Sequence, residues 1–320
     1  MNAKRFPSGL MATCCIPWSG DGQFQEQIFR RGVQTALQGT PHLYVFGTAG
    51  EGYAVTDRQF DQIVAVFIDE MRPAGAEPMV GVIHLSLGTI VERIERCRAL
   101  GVRQFQVSLP SWSALSDREL FGFFDAVCGR FSDCRFMHYN LPRAKRIVTG
   151  SEYGRLAAAH PNLVATKNTG DSLAHIRSLL DDAPPLQHFL SEAGYVYGSL
   201  FGECGILASF VTNWPKLRAL FDAGRQRDVA TLAAIQREVD IVLKTLLEAV
   251  PDHRIDGAYD KLFAKMYDPA FPLRMLPPYT GSTDDEFQSF VKLLSERLPE
   301  WVEFKVQIKA LHHARIKLAE

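Results

Sequence analysis

Three short polar segments could do chemistry together, and each of them closes an apolar run. Gly47-Thr48-Ala49-Gly50-Glu51-Gly52 follows Leu43–Phe46. Tyr139-Asn140-Leu141-Pro142 closes the run that begins at Arg135. Lys167-Asn168-Thr169-Gly170-Asp171 closes Leu163-Val164-Ala165. A lysine held at the end of an apolar strand sits in low-dielectric surroundings, which disfavour its charged form. A neutral amine attacks a carbonyl and an ammonium does not. Taken alone, a strand-end lysine more often snorkels to water. The other two segments change that reading. Carbinolamine and imine formation need proton transfers, which the Tyr139 hydroxyl can supply. The glycine-rich segment offers backbone N–H groups and the Thr48 hydroxyl, which suit a carboxylate. Tyrosines in cores and glycine turns after strands are each common, so it is the combination that points to Schiff-base chemistry.

Elements that would bring these segments together can be read from the same sequence. Eight short apolar runs recur: Leu10–Cys15, Leu43–Phe46, Met79–Ile83, Phe105–Leu109, Arg135–Tyr139, Leu163–Lys167, His188–Leu190 and Ile206–Phe210. Several are nearly continuous in apolar residues, as parallel strands covered on both faces are. Amphipathic stretches separate them. Phe60, Ile63, Val64, Phe67, Ile68 and Met71 form a helical stripe, and Thr56, Ser116 and Thr149 open helices with N-terminal capping patterns. Alternation of this kind predicts right-handed βαβ units, and eight of them fit an α/β fold of the (β/α)8 TIM-barrel type. An open doubly wound sheet is the alternative, but the first strand lacks its glycine-rich dinucleotide fingerprint. In barrels of this kind the active site lies at the C-terminal ends of the strands, where all three segments fall.

Strand signals stop after Phe221. A long stripe through Val229, Leu232, Ile235, Val239, Val242 and Leu246 follows, then a helix starting at Thr283. We read residues 1–224 as the catalytic barrel and 225–320 as a C-terminal helical region with a terminal extension. In that tail Phe304, Val306 and Ile308 alternate with polar residues, which fits a strand or a frayed helix. The 320 residues carry a formal net charge of -1, with no basic stripe for nucleic acid and no polybasic membrane patch. No apolar run reaches the roughly 18 residues of a membrane span. The six cysteines form no CxxC pair, which points to a reduced, cytoplasmic protein. The histidines have no metal spacing, so neither a metal nor an organic cofactor is expected.

With these segments in order, the sequence resembles the dihydrodipicolinate synthase / N-acetylneuraminate lyase family of pyruvate-dependent class I aldolases. That family carries a G-[TS]-T-G-E loop after its second strand, a Y-N-x-P segment after its fifth and a Schiff-base lysine after its sixth. Gly47–Glu51, Tyr139–Pro142 and Lys167–Gly170 stand in those places, and Gly202–Ser209 resembles the family's eighth-strand run. The match covers roughly the first 220 residues. The resemblance implies that Lys167 is the imine-forming nucleophile, that Tyr139 shuttles protons and that Thr48 joins its hydroxyl in a relay. It also implies that the backbone at Ala49 and Gly50 binds the 2-oxo acid carboxylate, that Leu207 lies near bound pyruvate and that the chain assembles as a homotetramer or homodimer.

Three departures narrow the reaction. Ala49 stands where the family's second loop hydroxyl is expected. Trp112 stands where dihydrodipicolinate synthases place a relay tyrosine, and an indole only donates. Ala144 stands where those synthases carry an arginine for the second substrate, with Arg143 beside it as the residue best placed to grip a substrate's distal part. The departures argue against lysine biosynthesis. They favour an aldolase, dehydratase or hydratase-aldolase that acts on a small 2-oxo acid with another second substrate. Condensation of pyruvate with aspartate semialdehyde and non-catalytic 2-oxo acid binding are the alternatives. Glu51 reads as a brace for its loop, and His138, next to Tyr139, as turned outward toward the helices.

Overall fold

The computed structural model describes residues 4–170, 172–208 and 213–303. The Phe304–Ile308 alternation, the His312-His313 pair, Asp171 and the end of the last predicted strand, Ser209-Phe210, lie outside the described residues. Eight parallel strands close on themselves in sequence order. They are β1 (Leu10–Thr13), β2 (Leu43–Val45), β3 (Met79–Gly81), β4 (Gln104–Val107), β5 (Arg135–Asn140), β6 (Leu163–Asn168), β7 (Gln187–Leu190) and β8 (Gly205–Ala208). β1 pairs with both β2 and β8, so the sheet has no edge. This is a (β/α)8 TIM barrel with C-terminal helices.

Parallel neighbours need crossovers, and helices supply them. They are α1 (Glu26–Leu37), α2 (Asp57–Met71), α3 (Leu87–Ala99), α4 (Asp117–Phe124), α5 (Gly150–Ala159), α6 (Leu173–Asp182), α7 (Glu192–Gly198) and α8 (Trp214–Gln226). The capping patterns at Thr56, Ser116 and Thr149 form complete boxes, each side chain accepting from the third helical N–H. Strand alternation divides the core in two. Met11, Tyr44, Met79, Met137, Ala165, Phe189 and Leu207 pack together inside the barrel, with Phe6 among them. Leu43, Val45, Val80, Phe105 and Phe136 face outward into the helix layer with Phe60, Phe67 and Phe124.

After α8 come α9 (Val229–Ala249), α10 (Asp256–Tyr267) and α11 (Asp284–Arg297), the last opened by the Thr283 capping box. α10 crosses the C-terminal mouth of the barrel. A Cβ on Gly257 would lie 3.1 Å from the Ala49 carbonyl oxygen, and Asp256 holds Arg143 in two hydrogen bonds of 2.8 and 3.0 Å. None of the helices among the described residues is long and apolar enough to cross a membrane.

Candidate active site

Register sets the first pair of side chains. In the β5–β6 ladder Tyr139 lies directly opposite Lys167, so both project into the barrel mouth from adjacent strands. Lys167 is 3% exposed. Its ammonium nitrogen lies 3.6 Å from the centre of the Tyr139 ring, so it faces the aromatic surface of that residue rather than its hydroxyl. The Tyr139 hydroxyl is 3.2 Å from Thr48 Oγ1. Lys167 Nζ donates instead to the Tyr44 hydroxyl at 2.8 Å. Tyr44 comes from β2, on the other side of the barrel. Its ring has room there because residue 47 is glycine: a Cβ at that position would approach a Tyr44 ring carbon to 2.6 Å.

Burial governs the protonation of all these groups. It pushes the Lys167 amine down to about 7, against the opposing pull of the Asp260 and Asp256 charges. It pushes the Tyr139 hydroxyl up to about 12, partly offset by the hydrogen bond with Thr48. Tyr44 is raised well above the ordinary tyrosine value for the same reason. Near neutral pH much of the amine is therefore uncharged and both phenols keep their protons.

The loop after β2 is held by backbone geometry and by a buried ion pair. Phe46, at φ 65°, turns the chain out of the strand in the left-handed region, and Glu51 repeats this at φ 54°. A Cβ on Gly52 would meet the Phe46 carbonyl oxygen at 2.5 Å, so only glycine lets the loop fold back on itself. The Glu51 carboxylate is fully buried. It accepts from Lys261 Nζ at 2.5 Å, from Trp18 Nε1 at 2.8 Å and from the Leu276 N–H at 2.7 Å. Glu51 thus braces its loop against α10. Among the described residues no acceptor takes the Ala49 or Gly50 N–H, and Ala49 lines the same cavity as Thr48.

A cavity of about 310 Å³ opens over Lys167. Tyr44, Thr48, Ala49, Tyr139 and Leu207 line it on the barrel side, and Asp256 and Asp260 from α10. Leu243, Leu246 and Leu247 of α9 form an apolar wall. A second cavity of about 280 Å³ shares Thr48 and extends over Tyr53, His84, Ser111 and Arg143. Of the residues singled out from the sequence, Lys167, Tyr139, Thr48, Ala49 and Leu207 thus share one cavity. Gly50 lies in the loop beside it, where a Cβ would come within 2.8 Å of the Phe46 nitrogen. Arg143 sits in the adjoining cavity with its guanidinium engaged by Asp256. Trp112 is not brought to the site: its side chain is 84% exposed, and its carbonyl accepts from Lys145. His138 turns outward, 2.6 Å from the Tyr153 hydroxyl on α5. Sequence reasoning missed Tyr44, Asp256 and Asp260. Tyr44 did carry a signal, since a tyrosine within a buried strand needs a hydroxyl partner.

Residues 6–296 match the profile of the dihydrodipicolinate synthetase family. A 4-hydroxy-tetrahydrodipicolinate synthase of Exiguobacterium sibiricum is 22% identical over 270 residues, 83% of this chain and 91% of that protein. Among solved structures, YagE, a prophage protein of the dihydrodipicolinic acid synthase family from E. coli K12 in complex with pyruvate, superposes with a TM-score of 0.81. It is 19% identical, covering 90% of this chain and 98% of its own. A 2-keto-3-deoxygluconate aldolase from Sulfolobus in complex with D-KDPG gives a TM-score of 0.78 at 15% identity, covering 94% and 99%.

Proposed function

The chain belongs to the dihydrodipicolinate synthetase family, and from that premise we propose that it is a class I lyase whose Lys167 forms an imine with pyruvate or a related 2-oxo acid. The observation that carries the proposal is the Lys167 amine itself: buried, pushed down to about 7, and hydrogen-bonded to a phenol at the floor of a cavity. The 2-oxo acid carboxylate is received by the free Ala49 and Gly50 N–H groups and the Thr48 hydroxyl. This holds the C2 carbonyl near the amine, and fixed orientation of this kind removes much of the barrier to attack. Tyr44 takes and returns protons at the nitrogen, and Tyr139 with Thr48 protonates the substrate oxygen as the carbinolamine forms. The imine then stabilises the carbanion at C3 as an enamine, from which a carbon–carbon bond is made or broken.

Lysine biosynthesis is not the reaction this site favours. Arg143 is committed to Asp256, and Ala144, 3% exposed, offers no charge for a second carboxylate. We infer instead an aldol cleavage or condensation, or a dehydration, with another second substrate. We also infer that the active species is a homo-oligomer.

Borohydride tests the imine. With pyruvate present, hydride reduction of the imine at C2 is expected to leave a 1-carboxyethyl group irreversibly on the Lys167 nitrogen, seen as a mass increase on the peptide that contains it. Lys167→Ala is expected to abolish the adduct. An adduct on another lysine, or none, would sink the proposal.

A further inference from the structure

We propose that Asp260 is a second proton-transfer residue of this site, a carboxyl on α10 that exchanges the proton at C3 of the bound 2-oxo acid. The role rests on the Schiff-base reading and extends it beyond the phenols.

Two carboxyls enter the cavity from α10, one helical turn apart, and they meet different fates. Asp256 is tied in a bidentate pair to Arg143 at 2.8 and 3.0 Å. Asp260 makes no hydrogen bond or ion pair among the described residues and lines the same cavity as Lys167. Asp260 is half-buried, so its unpaired carboxyl stays open to the cavity that it shares with Lys167. The groups that act on it are Asp256 on its own helix, Lys167 from β6, Glu192 from α7, Tyr44 from β2, Tyr139 from β5, and Cys15 just beyond β1. Burial, then the Asp256 charge, pushes Asp260 up to about 8, with Lys167 opposing. Asp256 is engaged by the Arg143 guanidinium, and Asp260 is the carboxyl of the two that is left able to hold a proton near neutral pH.

The phenols are poorly suited to the step at carbon. Both are raised by burial, Tyr139 to about 12, which makes their anions scarce near neutral pH. Asp260 can serve in sequence. The neutral carboxyl gives its proton to the hydroxyl of the carbinolamine; the C2–O bond breaks and water leaves. The iminium that remains is positive, which favours the new Asp260 carboxylate. That carboxylate then takes a proton from C3. The C3–H pair becomes the C2=C3 bond, the C=N pair moves onto nitrogen, and the enamine and the neutral carboxyl are formed together.

Deuterium exchange into the methyl group of pyruvate, followed by proton NMR in D2O, reads this step without a second substrate. Wild type is expected to exchange fastest between about 7 and about 8, where the amine and the carboxyl are both neutral. D260N is expected to slow exchange on the order of 10²–10⁴-fold and to lose the decline above the upper limit. Pyruvate trapped by borohydride at equilibrium should still appear on Lys167, and D260E should restore part of the exchange. Exchange within twofold of wild type in D260N, with the same pH profile, would overturn the role while leaving the imine intact. Loss of trapping in D260N at unchanged melting temperature would also overturn it, because the carboxyl would then act only by setting the amine. Absence of trapping in wild type would instead remove the Schiff-base reading and this role with it.

Discussion

Lys167 carries a stability cost that its proposed chemistry explains. In the folded chain the amine titrates near 7, and in the unfolded chain near 10.4, as a free lysine roughly does. Between these values the unfolded chain binds a proton that the folded chain does not. Stability therefore rises with pH across that window, and the penalty is complete below it. Lys167→Met keeps the length of the side chain and has no proton to exchange. It is expected to be more stable than wild type at pH 7, by about 4 kcal/mol, with the gap closing toward pH 10. Urea midpoints at pH 7 and 9.5 check this; a gap that does not narrow would mean that the amine stays charged when buried. At this scale the sequence was legible where chemistry sits at a strand end. Lys167, Tyr139 and Thr48 each close an apolar run, and all three line one cavity. The partner of Tyr44 was not legible, because its hydroxyl meets Lys167 across 123 residues of chain and only once β2 and β6 stand in the same ring. Asp260 gave no signal either, since nothing in a helical stripe says which residues will overhang a barrel mouth.

What overhangs that mouth is decided by elements, and the buried pair of Glu51 and Lys261 does much of the deciding. It joins the loop after β2 to α10 over 210 residues of sequence, with both side chains fully buried. Local signals could not disclose it. The capping boxes at Thr56, Ser116, Thr149 and Thr283 were readable because each is complete within four residues. The eight strands were readable because their apolar runs are short and punctuated, although their ends fell a residue or two away: β2 stops at Val45 because Phe46 turns into the left-handed region. The placement of α10 has no such local signature. Lys261→Met would leave the Glu51 carboxylate with its two N–H donors and no cation. Removing one partner of a buried pair costs about 3–5 kcal/mol, and that loss is expected in urea unfolding. The variant should also bind pyruvate less tightly, because Glu51 fixes the loop that carries the Ala49 and Gly50 N–H groups. A loss below about 1 kcal/mol, within the range of surface pairs, would show that the loop is held by its backbone alone.

For the whole molecule, the loops at the C-terminal face of the barrel raise the question of what covers them. Leu85 follows β3, Trp112 follows β4, Ile147 follows β5, and Leu173 opens α6 after β6; their exposures are 53%, 84%, 40% and 54%. Single exposed apolar residues are ordinary, but these four stand on consecutive loops of one face, and apolar surface that is contiguous marks interaction sites. Trp112 is no loose end. Lys145 donates to its carbonyl, and Arg146 ties the same pair of loops through the Leu115 carbonyl and Asp117. The indole is therefore held outward on a braced loop, and an aromatic presented in this way suits the centre of an interface. We expect the 35.8 kDa chain to sediment at micromolar concentration as a dimer or tetramer. Trp112→Asp places a charge at that point and is expected to weaken assembly by about 2–4 kcal/mol, the range of a central aromatic anchor, which moves the sedimentation boundary toward the monomer. Because the indole lies away from Lys167, trapping of pyruvate by borohydride should survive in the dissociated variant. A wild-type chain that sediments as a monomer would show that these loops face water. Loss of trapping on dissociation would show that the cavity needs a second copy to be complete.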